Sequence, residues 1–203
     1  MSFVNFGAKE IISKIIYWGP SLSGKTVNVR YIAEHTKESS KGKLISLSSE
    51  TERTLFFDFL PLALGKINDF DVRFHLYTVP GHVFYDTSRK LLLKGLDGIV
   101  FVVDSNRNRY EANIESMNNL VKHLGRMNLN IANISLVIQY NKRDIPAAVP
   151  VSEICNAINK VNAPEFEAIA TEGVGVFETL KGISKMIIAN LKSDMREAEL
   201  DEK

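Results

Sequence analysis

The stretch IIYWGPSLSGKT, residues 15–26, decides the fold. Four apolar residues end in Gly19 and Pro20, which reads as a short buried strand stopped by a turn. Gly19, Ser21, Leu22, Ser23, Gly24, Lys25 and Thr26 then fall into G-x-x-x-x-G-K-[ST]. Closely packed phosphate charges need converging backbone N–H groups, which a glycine-rich turn supplies where bulkier residues would not fit. The helix expected from Lys25 to His35 adds the positive end of its dipole. In this pattern Lys25 reaches the β- and γ-phosphates and the Thr26 hydroxyl binds Mg²⁺. A chance glycine-rich turn would lack the strand before and the helix after, so the context favours a nucleotide site.

Outward from this loop, strand-like and helix-length segments alternate. Residues 44–47 and 72–78 read as strands, and 99–103 and 136–140 are apolar throughout, as expected for strands covered on both faces. Residues 166–169 read as the last strand, 113–124 as a helix, and 176–191 as an amphipathic helix on Val176, Leu180, Ile183, Ile187 and Leu191. This order predicts an α/β, three-layer P-loop NTPase: a mostly parallel central sheet with helices on both faces and ligands at the carboxyl ends of the strands. No repeat or linker divides the chain. One domain over 1–195 is expected, followed by a charged, frayed tail over 196–203.

Asn141, Lys142, Arg143 and Asp144 follow the strand 136–140 directly. A carboxylate at Asp144 can accept from both N1–H and the 2-amino group of guanine. Adenine offers neither donor there, and a desolvated carboxylate left without partners is costly. Asn141 is expected to tie this loop to the phosphate loop, and Lys142 to lay its stem along base and ribose. Ala170 and Thr171 sit where a backbone N–H can meet the guanine carbonyl. GTP or GDP with Mg²⁺ is therefore the expected ligand. A small-molecule kinase would need an arginine-rich lid and a second substrate pocket, and the sequence shows neither.

The bulk numbers agree with a soluble globular chain. Of 203 residues, 25 are Lys or Arg and 24 are Asp or Glu, giving a net charge of +1. That balance gives no reason to expect nucleic acid as a partner. The lone Cys155 excludes an internal disulfide and suits a reducing cytoplasm. Neither a signal peptide, a membrane-spanning run nor a lipidation motif is evident, so no direct membrane insertion is expected. His35, His75 and His123 are scattered, with no metal-ligand spacing. Trp18, Tyr17, His75 and Cys155 read as packing residues.

With TERTLFFDFLP (51–61) and RFHLYTVPGHVFY (73–85) added to the two nucleotide motifs, the chain resembles the Ras-like small GTPases. It is most similar to the MglA family of bacterial gliding motility and cell polarity. The likeness runs from Phe3 to about Leu191. It implies a GTP-binding switch that hydrolyses GTP to GDP. It also implies a first switch over 49–60 and a second over 80–91, through which effector and polarity proteins bind. Thr54 would join Thr26 as a magnesium ligand in the GTP state. Arg53 matches an arginine finger supplied within the same chain, able to neutralise charge on the transferring phosphoryl group. Gly81 would lie against the phosphates. Phe56, Phe57 and Phe59 read as core, in a strand that slides between nucleotide states in that family. An MglB-like activating protein is a further implied partner, and attachment to a cell pole would come through partners.

The chain departs from the usual pattern twice. Thr78 stands where most Ras-like proteins carry aspartate, in agreement with the MglA form. His82 stands where the family has a glutamine that orients the attacking water. A neutral imidazole can orient that water, or the ring fails to reach it, or the residue acts only when a partner orders its loop. The second of these makes intrinsic turnover low. At its limit the chain becomes a nearly non-cycling, GTP-bound scaffold for polarity partners.

Overall fold

The computed structural model describes residues 3–5, 7–48, 54–67, 69–79 and 91–201. Strand β2 (Glu10–Trp18) organises it. One edge of β2 pairs in parallel along its length with β5 (Phe70–Thr78), from Glu10 opposite Asp71 to Tyr17 opposite Thr78. The other edge is shared. Its first residues pair antiparallel with β1 (Phe3–Asn5), and from Ile15 onward it pairs in parallel with β6 (Gly98–Asp104). Beyond β6 lie β7 (Ser135–Asn141) and β8 (Glu165–Glu167), both parallel to their neighbours. Beyond β5 lie β4 (Thr54–Ile67) and β3 (Ile45–Ser48), each antiparallel to the next strand inward. The order is β3-β4-β5-β2-β6-β7-β8, with β1 beside β2.

Alternation along the central strands sends successive side chains to opposite faces. Ile15, Tyr17, Val100 and Val102 join Val29 and Ile32 of α1 (Lys25–His35) on one face. Leu180, Ile183 and Ile187 of α4 (Val176–Asp201) close the same face. Ile16, Trp18, Ile99, Phe101 and Val103 point to the other face. There they meet Met117, Leu120 and Leu124 of α2 (Tyr110–Gly125) and Ile154 and Ile158 of α3 (Val151–Ile158). Every residue of β6 and β7 is buried between the two helical layers, with Gln139 of β7 satisfied by Asn28 and Thr179. The three-layer α/β arrangement expected from the sequence is present.

Several elements are longer than their sequence pattern. The first long strand begins at Glu10 rather than Ile15, because β1 and β5 pair with residues whose polar neighbours break the apolar run. The segment after Thr54 is a 14-residue strand reaching Ile67, carried past Pro61 by its pairing with β5. The last strand is Glu165–Glu167, slightly before the span 166–169. The last helix continues to Asp201, across the charged residues expected to fray. No described helix is long and apolar enough to cross a membrane.

Candidate functional site

The phosphate loop leaves the end of β2 as the pattern requires. Gly19 has φ 148°, and a Cβ there would lie 2.2 Å from the Val102 carbonyl oxygen of the neighbouring strand. Gly24 has φ 101°, and a Cβ would lie 2.2 Å from Asn141 Nδ2. Both positions therefore need glycine for conformation and for space. Between them Leu22 holds φ 63° with its side chain exposed, and Ser23 is fully buried. The Ser23 hydroxyl has no hydrogen-bond partner among the described residues. Lys25 is buried and curls back over the loop, donating to the carbonyls of Gly19 at 3.1 Å and Pro20 at 2.7 Å. Arg109, at the start of α2, donates to the Ser21 carbonyl at 3.0 Å from outside. Nothing in the spacing of the sequence points to that arginine.

The second loop is bound to the first. Asn141, 2% exposed, donates from Nδ2 to the Ser23 carbonyl at 2.8 Å. Its Oδ1 accepts from the Ala170 amide at 2.9 Å. One side chain thus fixes the phosphate loop, the 141–144 loop and the 170–171 loop together. The bond between Asn141 and the phosphate loop is the one read from the sequence. Ala170 differs: its amide is committed to Asn141, and of the pair it is Thr171 that is exposed. Lys142, at φ 64°, donates to Asp104 Oδ2 at 2.7 Å. Asp104 is 1% exposed and is held further by Asn113, which bonds its backbone in both directions. Arg143 turns away to Glu167 and to the Val149 carbonyl. Asp144 is exposed.

A third group of polar residues lies against Thr26. Its hydroxyl donates to Asp58 Oδ2 at 2.6 Å. Thr78 at the end of β5 donates to the same oxygen at 2.6 Å and accepts from the Asp58 amide at 2.9 Å. Ser46 of β3 donates to the other carboxyl oxygen. The motifs of the sequence do not single out Asp58. Its one signal is an acid set among Phe56, Phe57, Phe59 and Leu60, since an acidic residue in an apolar strand is rarely buried without a polar partner. Beside Thr78 in the sheet, the Tyr17 hydroxyl is fully buried, and burial holds it protonated well above the usual phenol range.

The sequence pattern of the ADP-ribosylation factor family matches residues 61–187, more than half of the chain. The chain is also 58% identical over 192 residues to the mutual gliding-motility protein MglA of Myxococcus xanthus (strain DK1622). That alignment covers 95% of this chain and 98% of the other. The chain belongs to the MglA family of small GTPases. As in small GTPases generally, GTP and GDP are its ligands and GTP hydrolysis is its reaction.

In the MglA frame, the phosphate loop and the 141–144 loop converge at the carboxyl ends of β2 and β7, where such sheets bind ligands. Arg53, Gly81 and His82 lie outside the described residues, as does 80–90 of the second switch. Thr54 opens β4. The remaining histidines have structural surroundings. His75 stands edge-on to Phe59 at 5.1 Å, His35 stacks on Tyr31 at 3.9 Å, and His123 stands edge-on to Trp18 at 5.8 Å. Among the described residues no three His, Cys, Asp or Glu side chains gather at metal-binding distance. Cys155 packs beside α3's core face, and its hydrogen bond with Glu165 raises the thiol, the wrong direction for a nucleophile.

Proposed function

We propose that this chain is a GTP-controlled switch of the MglA kind that governs cell polarity and motility, cycling slowly because His82 replaces the usual glutamine. The observation that supports it most is the Asn141 bridge, which fixes the guanine-reading loop to the phosphate loop. Asp144 selects guanine by accepting from two donors that adenine lacks there. Thr171 offers its amide to the guanine carbonyl, and Lys142 lies along the ribose. Gly19, Ser21, Leu22, Ser23, Gly24 and Lys25 cradle the phosphates, and Gly81 belongs to the same nucleotide-binding set. Lys25 leaves its bonds to Gly19 and Pro20 for the phosphate oxygens when nucleotide enters.

Magnesium fits Thr26, a hard oxygen donor whose hydrogen is already directed onto a carboxyl oxygen. Thr54 joins it in the GTP form. Held there, the ion would supply positive charge against the phosphate oxygens. Arg53 adds a cation to the transferring group from within the chain, and His82 sits where a water-orienting side chain belongs. Effector and polarity proteins read switches 49–60 and 80–91, an MglB-like protein accelerates hydrolysis, and partners recruit the cytoplasmic chain to a cell pole.

The test is the nucleotide that copurifies with the protein when none is added, released by denaturation and separated by ion exchange. Guanine nucleotide supports the reading. GTP in excess marks slow hydrolysis and favours a nearly non-cycling scaffold, whereas GDP shows that His82 and Arg53 suffice to turn the switch off. An adenine nucleotide overturns the role of Asp144. In single-turnover assays, His82→Gln is expected to hydrolyse GTP about tenfold faster or more, a barrier change of about 1.4 kcal/mol. An unchanged rate, with or without an activating partner, defeats the explanation from His82.

A further inference from the structure

The base pocket proposed for this chain needs a fixed amide at Thr171, and Asn141 holds only the residue before it, Ala170. Residues 169–174 turn back on themselves through an Ile169–Val174 bridge and a bond from the Glu172 amide to the Ile169 carbonyl at 3.0 Å. The Thr171 amide has no hydrogen bond among the described residues. Beyond Ala170, the loop is braced by α1, the helix that opens with Lys25 and Thr26 of the phosphate loop.

Two connections run from α1 to this loop. The first is the Tyr31 ring. A Cβ on Gly173 would lie 1.9 Å from Tyr31 Cζ and 2.1 Å from its hydroxyl oxygen, so the ring meets the loop backbone with no side chain between them. Gly173 also holds φ 80°, a conformation that favours glycine. The ring is itself held: His35 stacks on it with centroids 3.9 Å apart, and Phe177 of α4 stands edge-on at 6.2 Å. The second connection is buried. Asn28 of α1, Gln139 of β7 and Thr179 of α4 are each 0% exposed. Gln139 Nε2 donates to Asn28 Oδ1 at 2.9 Å and to Thr179 Oγ1 at 3.0 Å. Asn28 in turn donates to the Gly24 carbonyl at 3.0 Å, and Thr179 to the Gly175 carbonyl at 2.6 Å. This line joins the last glycine of the phosphate loop to the end of the base loop.

We propose that Tyr31 is a positioning residue for guanine recognition: its ring holds Gly173, and through it the Thr171 amide, in fixed relation to the phosphate loop. A loop ordered only when ligand arrives costs affinity, and a ring packed on its backbone removes that cost beforehand. The buried line fixes Gly175, two residues further on, so the ring and the line together leave the turn at Gly173 little room to drift. Alanine at 31 opens a gap that Gly173, having no side chain, cannot fill. The rate at which nucleotide leaves is then set by α1 as well as by the switches. This rests on the GTP-binding reading above and adds the residue that holds the carbonyl-reading amide.

The experiment measures release of GDP and of 2-aminopurine riboside diphosphate from the full chain, with thermal unfolding alongside. The second nucleotide keeps the 2-amino group and the phosphates but has no carbonyl for the Thr171 amide to meet. Tyr31→Ala is expected to release GDP about 3- to 10-fold faster, the worth of one neutral hydrogen bond, and to leave the aminopurine nucleotide within about twofold of wild type. Tyr31→Phe, which keeps the ring, is expected to match wild type with both. Gly173→Ala presses on the same contact from the loop side and serves should Tyr31→Ala fold poorly. It is expected to speed GDP release as well, and by less in a Tyr31→Ala background, where the added methyl has room. Equal acceleration of both nucleotides makes Tyr31 a packing residue and overturns the proposal. So does a lower unfolding temperature with unchanged GDP release, or a Tyr31→Phe variant as fast as alanine. Wild-type protein that binds GDP yet releases both nucleotides at one rate has no carbonyl contact to position, which also overturns it, whereas wild-type protein that binds no guanine nucleotide overturns the GTP reading as well.

Discussion

Asp144→Asn is expected to lower guanine-nucleotide affinity by about 10²- to 10⁴-fold while leaving the unfolding temperature of the nucleotide-free protein within about 2 °C of wild type. In the proposed base pocket the carboxylate would accept two hydrogen bonds from guanine, and each bond to a charged group is worth roughly 1.5–3 kcal/mol. An amide retains one acceptor and turns an NH₂ towards a donor. Stability is spared because Asp144 is exposed and has no hydrogen bond or ion pair among the described residues. The same change should improve binding of xanthine nucleotides, whose 2-oxo group accepts from the amide NH₂ while N1–H donates to its carbonyl. Titration calorimetry with GDP, XDP and ADP reads all three arms. Unchanged GDP affinity would remove Asp144 from the base pocket and leave the phosphate loop as the only sequence signal for the ligand.

The parts of this site that are legible in the sequence are those whose chemistry is contiguous. Gly19 to Thr26 and Asn141 to Asp144 are each a single turn in which residue type and spacing carry the function, and both follow apolar strands that announce themselves. The fold is legible for the same reason, since β6 and β7 are predominantly apolar and are covered by helices on each side. What escapes is assembled across the chain. The polar row of Ser46, Asp58 and Thr78 exists only through the pairing of β3, β4 and β5, and no local periodicity encodes that register. Arg109 reaches Ser21 from a residue 88 positions away. The first half of β2 is hidden because Glu10, Ser13 and Lys14 interrupt its apolar run. Ser13 is nevertheless buried, and Lys14 caps the strand's edge through the Asp97 side chain and the Lys94 carbonyl.

Ala170 has a partner in the structure that the sequence does not announce. In the sequence, Ala170 and Thr171 read as one amide donor for the base. The structure commits the Ala170 amide to Asn141, so the third loop helps to build the pocket before it reads anything. In the proposed site, recognition and stability would be divided between neighbours: Asp144 is exposed, and Asn141, three residues earlier, bonds the protein.

That division makes Asn141→Ala the opposite experiment. Asn141 is 2% exposed and satisfies the Ser23 carbonyl and the Ala170 amide at once. Its removal leaves one buried acceptor and one buried donor unpaired, at about 1–3 kcal/mol each. The nucleotide-free protein is expected to lose roughly 2–4 kcal/mol of stability, or on the order of 10 °C in unfolding temperature for a chain of this size. GDP affinity should fall with it, because both loops must be re-ordered at the moment of binding. Asn141→Asp separates the two halves of the bridge. One oxygen still accepts from Ala170, while the other is turned on the Ser23 carbonyl, so the 170–171 loop stays attached and the phosphate loop is pushed away. Its deficit should therefore appear more in GDP affinity than in unfolding temperature, relative to alanine. Equal stability of Asn141→Ala and wild type, measured without nucleotide, would show that the loops are held by something other than this side chain, and the geometric basis for the GTP reading would go with it.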